Sequence, residues 1–140
     1  MTNSFIERGD YDASVFREIL DQITREDEST VEICENRAID ELTSYLSSRY
    51  DCETLFDQRG SNRSNLVLMM CIDIAVYHMF CIGNPVKLSQ VRKDRYERAI
   101  DWARAVNKGQ VNIHNAPLYQ DDRRQARYRG SSNKKRTNHY

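Results

Sequence analysis

Apolar residues recur at steps of three and four along four stretches of this chain, which predicts four helices. The first helix is expected over about 12–26, where Val15, Phe16, Ile19, Leu20 and Ile23 share one face. Asp10 or Asp12 caps its start. Glu26, Asp27 and Glu28 oppose the helix dipole at its end and set the stop. The second opens on Ser29-Thr30-Val31-Glu32, a capping box in which Ser29 and Glu32 satisfy each other's backbone donors, and runs to about 50. Its stripe of Ile33, Ala38, Ile39, Leu42, Tyr45 and Leu46 lies opposite Glu32, Glu35, Asp40 and Glu41. The third, about 63–82, is apolar nearly all round, the pattern of a helix buried on most sides. Gly83 suits the position just past its end, and Pro85 blocks continuation. A fourth is expected over about 89–108, with Val91, Ala99, Ile100, Trp102, Ala103 and Val106 inward and Gly109 as its stop.

Between the second and third helices, DCETLFDQRGSN (51–62) breaks the periodicity. It is long for a connection in a compact helical domain. Gly60, Ser61 and Asn62 are turn residues, and Leu55 and Phe56 are read as an apolar tip that contacts a neighbouring molecule. QVNIHNAPLY (110–119) suits a short extended segment. Beyond Tyr119 no apolar period survives, so the C-terminal segment cannot fold by itself. The expected architecture is therefore all-α: a small four-helix domain over 1–118, a long loop between its second and third helices, and a basic tail over 119–140.

One stretch tests that reading. LVLMMCIDIAVYHMFCI (66–82) is apolar over 17 residues except for Asp73 and His78, at the lower edge of membrane-spanning length. A carboxylate in mid-span costs roughly 2.5–3.5 kcal/mol on insertion scales, so the central helix of a bundle is preferred and no membrane is expected. Inside such a bundle Asp73 needs a partner, and Arg95 or Arg98 of the fourth helix is the expected one. MTNSFIERGDYD lacks the basic and apolar regions of a secretory signal. Cys34, Cys52, Cys71 and Cys81 accordingly read as reduced thiols, Cys71 and Cys81 serving as small hydrophobes within the apolar run.

Charge changes the picture. The chain is neutral, with 21 basic and 21 acidic residues, but its ends are opposed. Residues 1–60 carry 15 acidic and 6 basic side chains, a net of −9; residues 61–118 carry a net of +4 and residues 119–140 a net of +5. Such asymmetry points to partners more than the isoelectric point does. The tail is read three ways: as a solvated end, as a phosphate-neutralising arm, or as a segment that orders on a protein partner. Arg123, Arg124, Arg127, Arg129, Lys134, Lys135 and Arg136 supply its charge, and Tyr119, Tyr128 and Tyr140 are anchors among them.

Candidate chemistry is sparse. His78, Cys81 and Cys71 share neighbouring helix faces but lack the paired close spacings of a zinc site. No nucleophile elbow or glycine-rich phosphate loop occurs, and Asp73 has no second carboxylate or base at helical spacing. Neither an enzyme, a metal nor a cofactor is expected.

Three stretches together carry a family resemblance: YLSSRYD (45–51), DIAVYHMF (73–80) and RYERAIDWARAVNKGQVNI (95–113). In order and spacing they resemble the head–tail connectors of tailed phages of the Mu-like type, also called adaptor or head-completion proteins, over about residues 5–115. Asp51-Cys52-Glu53 stands where that family often has a Leu-Pro, and the basic tail is outside the shared pattern. The resemblance implies a mostly helical, non-enzymatic virion protein at the head–tail junction, present in the host cytoplasm during assembly. It implies a ring of identical copies, commonly twelve, beneath the portal protein. A tail-side or second adaptor protein would bind below, and genomic DNA would pass the lumen without specific contact. An unfolded tail that orders on the portal fits this scheme. The alternative is a small DNA-binding regulator that uses the basic tail.

Overall fold

At the centre of the molecule lies the most apolar helix, Asn65–Gly83. The computed structural model describes residues 5–15, 17–25 and 27–119, and among these the architecture is helical with no strand. In chain order it comprises a 3-10 segment Arg8–Ala13, α1 (Arg17–Thr24), α2 (Glu28–Leu46), a short α3 (Cys52–Leu55), α4 (Asn65–Gly83) and α5 (Gln90–Asn107). Further 3-10 turns, Gly60–Asn62 and Pro85–Lys87, flank α4.

α4 packs against α1, α2 and α5. Its middle is buried without interruption from Met70 to Val76, which is why the sequence there shows no polar stripe. By length and apolarity α4 would suffice to cross a membrane, and 56% of that stretch is buried inside the fold. The tight turn at Pro85–Lys87 reverses the chain, so α4 and α5 lie antiparallel, with Asp73 level with Arg98 and Tyr77 stacked on Tyr96. Glu41 meets Tyr96 and Arg49 meets Val106, so α2 runs in the same direction as α5.

Caps set the boundaries. Asp27, not Ser29, starts α2: its carboxylate accepts from the Ser29 N–H at 2.9 Å and from the Ser29 hydroxyl at 2.8 Å. The expected Ser29/Glu32 box is thereby displaced, because a carboxylate two residues earlier takes the Ser29 N–H and hydroxyl and begins the helix sooner. Ser64 and Ser89 cap α4 and α5 through the N–H groups of Val67 and Arg92. α2 ends at Leu46 rather than near 50, followed by turns to Tyr50.

The first expected helix is two pieces, the 3-10 segment Arg8–Ala13 and α1; Phe16 and Glu26 lie outside the described residues. The 3-10 segment is held by Tyr11, whose hydroxyl donates to Glu35 Oε2 at 2.6 Å in the interior. Arg63 secures it from outside, donating through Nη1 to the Phe5 carbonyl at 2.8 Å and to Asp10 Oδ2 at 2.6 Å.

Three further expectations are corrected. The 51–62 stretch is not an open loop: α3 turns Leu55 and Phe56 into the core, where they are 0% and 8% exposed, and Phe56 meets Phe5 edge to face at 5.1 Å. They are therefore not a tip offered to a neighbour. Val91 points outward. Gly83 is the last residue of α4 rather than a residue beyond it, and its need is tertiary: a Cβ there would lie 2.0 Å from the Ile23 carbonyl oxygen of α1. Gly109, with φ at 82°, stops α5 as its sequence implies.

Candidate functional site

The three motif stretches fold into three knots of polar contacts. In the first, the chain leaves α2 through Ser48, Arg49 and Tyr50 and meets the end of α5. Arg49 donates through Nη1 to the carbonyls of Val106 at 2.7 Å and Val111 at 3.0 Å. Its Nη2 donates to Asn112 Oδ1 at 2.5 Å. A guanidinium is thus set at the end of α5, the group that suits the negative end of the dipole. The Ile113 N–H donates to the Tyr50 hydroxyl at 2.8 Å. The Asp51 N–H donates to the Pro117 carbonyl at 2.8 Å, and the Tyr119 N–H to the Arg49 carbonyl at 2.9 Å. These bonds surround an isolated antiparallel bridge between Tyr50 and Leu118. The extended segment expected over 110–119 therefore pairs only at 117–119, after a turn at His114–Asn115 where Asn115 has a φ of 58°.

The second knot lies between α4 and α5. Asp73, 3% exposed, accepts from Arg98 Nη2 at 2.5 Å, so Arg98 is the partner the sequence required. Burial pushes the Asp73 carboxyl up, and the Arg98 hydrogen bond and charge pull against it. Arg92, one and a half turns earlier, donates to the Ser14 carbonyl at 2.6 Å and lies 5.8 Å from the Phe80 ring centroid. Arg95 and Arg98 line a cleft of about 550 Å³ with Met69, Ile72 and Ser14.

The third knot joins α2, α4 and α5 through one carboxylate. Glu41 accepts from the Tyr96 hydroxyl at 2.5 Å, and its other oxygen lies 3.2 Å from His78 Nε2. Tyr77 stacks on Tyr96 with ring centroids 4.1 Å apart. Burial, then Glu41, pushes the Tyr96 hydroxyl far above its ordinary range, so Tyr96 is held as a hydrogen-bond donor. A neutral phenol and an imidazole sharing one carboxylate fasten three helices, with the Cys81 thiol beside Tyr77.

The thiols of Cys34, Cys52 and Cys71 are buried, whereas Cys81 is exposed, against the expectation that it fills space in the interior. Burial raises Cys34 and Cys52 to about 11, which keeps both protonated and unreactive at neutral pH. Among the described residues no group of three or more His, Cys, Asp or Glu is placed to hold a metal ion.

What remains is surface. Ile82, Val86 and Val91 are exposed where α4 turns into α5, Val86 at 90%. Leu66 and Met69 are exposed near the start of α4, and Leu118 and Tyr119 at the last described residues. Along the opposite flank, α2 borders two clefts of about 480 and 930 Å³ that share Glu32. Of the tail residues, only Tyr119 is described; Arg123, Arg124, Arg127, Tyr128, Arg129, Lys134, Lys135, Arg136 and Tyr140 lie outside the described residues.

Sequence reasoning missed Arg49, Arg63 and the Tyr11–Glu35 pair. Their partners are mostly carbonyls or sit far away in the chain, and neither leaves a periodic trace. No family model, curated protein or solved structure matches the chain.

Proposed function

We propose that this protein is a structural subunit of the head–tail junction of a tailed phage: a four-helix connector that acts by binding, not catalysis. Copies assemble as a ring beneath the portal, extend the DNA channel and present a surface to a tail-side or second adaptor protein. Residues 119–140 dock on the portal. The observation that carries this reading is the apolar corner at Ile82, Val86 and Val91, in a chain with a net of −9 over residues 1–60 and of +9 over the rest. A ring joins two different faces of each subunit. An uncovered apolar patch and opposed charges supply what such a contact uses. The three knots support it in another way: the residues behind the family resemblance build the scaffold, which leaves assembly to the surface.

The test is to mix the full chain with portal rings and image the complex. A ring of copies seated on the portal is expected, and truncation after Tyr119, which keeps the Tyr50–Leu118 bridge, is expected to abolish attachment. A truncated chain that binds portal with unchanged affinity overturns the assignment of the tail. A chain that ignores portal but binds duplex DNA, with a log–log salt slope of about −4 to −5 for about five cations, overturns the connector reading in favour of a DNA-binding regulator.

A further inference from the structure

The two clefts beside α2 adjoin at Glu32, which lines both, and together they make a trough whose lining mixes apolar side chains with carboxylates. Ile6, Val31, Ile39 and Phe56 line it. Glu7, Glu28, Glu32, Glu53 and Asp57 stand along it against the two cations Arg8 and Arg59. Arg8 is engaged by Glu28 at 2.6 Å and by Asp21 at 3.2 Å. Glu32 and Glu53 pair with no cation among the described residues. Like charges held among apolar side chains repel one another and call for a cationic, partly aromatic occupant.

The chain carries such a segment, and it starts beside the trough. The Tyr119 N–H is bonded to the Arg49 carbonyl and the Pro117 carbonyl to the Asp51 N–H, while Cys52 and Glu53 already line the trough. Residues 120–140 hold five Arg and two Lys against two Asp, with Tyr128 and Tyr140 among them. Fully extended, 21 residues reach about 70 Å. From Thr43 to Glu28 the trough follows α2 for about 22 Å, so the segment can lie along it with length to spare. A tether this short holds its end at about millimolar effective concentration, well above a second copy in dilute solution.

We infer that the trough along α2 is the docking site of the protein's own C-terminal segment, 120–140, in the free subunit. The segment's five arginines and two lysines match the carboxylates of the trough in charge, and its tyrosines match the apolar side chains in chemistry. The inference does not rest on the connector reading. Where both hold, a portal must draw the segment off its trough before binding it, so the bare trough becomes available only on assembly.

The experiment uses the full chain at low micromolar concentration with a zero-length carbodiimide cross-linker, followed by mass spectrometry of the monomer band. Links from Lys134 or Lys135 to Glu7, Glu28, Glu32, Glu53 or Asp57 are expected, and are expected to vanish in 1 M salt, where the screening length falls to about 3 Å. The double variant Glu32→Lys with Glu53→Lys changes two exposed residues and retains the fold. It is expected to reduce the links to Glu28 and Asp57 about fivefold, the worth of two exposed ion pairs. A unique set of links confined to the dimer band overturns the inference in favour of exchange between copies. Links spread evenly over carboxylates outside the trough, or unchanged in the double variant, overturn it outright. None of these outcomes bears on whether the chain binds a portal.

Discussion

Asp73 shows how one residue can be both a cost and a constraint. Its carboxylate is removed from water and stabilised by a guanidinium that is itself half exposed. Removal of one partner of a buried pair is expensive because the other charge stays behind. Arg98→Ala is expected to cost about 2 kcal/mol at pH 7, below the fully buried range because solvent reaches the guanidinium. The sign of the pH dependence follows from burial. Asp73 has its folded pKa raised above the unfolded value, so its ionisation costs stability as pH rises through the carboxylate range, and Arg98 offsets that cost. The gap between wild type and Arg98→Ala should therefore narrow as pH falls, which urea denaturation at pH 7 and pH 4.5 will read; a constant gap would contradict this. Arg49 is a second such point. Arg49→Ala and Arg49→Lys should destabilise nearly alike, by about 2–3 kcal/mol, because a lysine cannot span three acceptors with a planar fork. Faster amide exchange at Ile113 and Tyr119 is the accompanying signature.

At the scale of elements, the spacing of α1 and α4 is set by the absence of one methyl group. With the Ile23 carbonyl only 2.0 Å from where a Cβ would stand at Gly83, Gly83→Ala must push two helices apart. The expected loss is about 2–3 kcal/mol, at the upper end of overpacking because the obstacle is backbone; thermal denaturation measures it, and a neutral result would sink the close-approach argument. Leu55→Ala should cost about 3 kcal/mol, whereas an exposed tip residue would cost almost nothing. These two cases mark what the sequence could and could not disclose. The cores of α2 and α5 were legible in the main because a helix of eighteen or nineteen residues repeats its period several times. Even so, Ile33 of the expected α2 stripe is exposed and Glu35 of the expected charged face is buried. α4 was legible by unbroken apolarity. The Asp73–Arg98 pair was legible because a lone carboxylate in an apolar run demands a cation, and the next helix carries Arg95 and Arg98. α3 has only four residues, too few for any period to show, and its burial depends on Phe5 from the far end of the chain. Gly83 looked like punctuation because its cause lies on α1, sixty residues earlier. The clefts were not legible at all, one being made by Phe5, α2 and α3 and the other by Ile6, Glu7, Arg8 and α2.

For the whole molecule, exposed apolar side chains and a split charge leave the fold complete but its surface unsatisfied. Ile82→Asp with Val86→Asp should leave monomer stability within about 0.5 kcal/mol, since both side chains face solvent. Under the proposed connector function, the same variant should also lose self-assembly on the portal. Mass photometry with and without portal reads the second effect and denaturation the first. A variant that assembles normally would remove the apolar corner from the contact and send the search to Leu66, Met69 and Leu118.

The exit of the chain at Tyr119 has a mechanical consequence. Backbone bonds fasten it to Arg49 and Asp51, and Arg49 grips the last turn of α5. Any pull on the C-terminus is thus delivered to the seam between α2 and α5, while α4 stays sheltered behind both. Traction that strips residues 117–119 from Arg49 and Asp51 would therefore open that seam before it reached α4 at the centre.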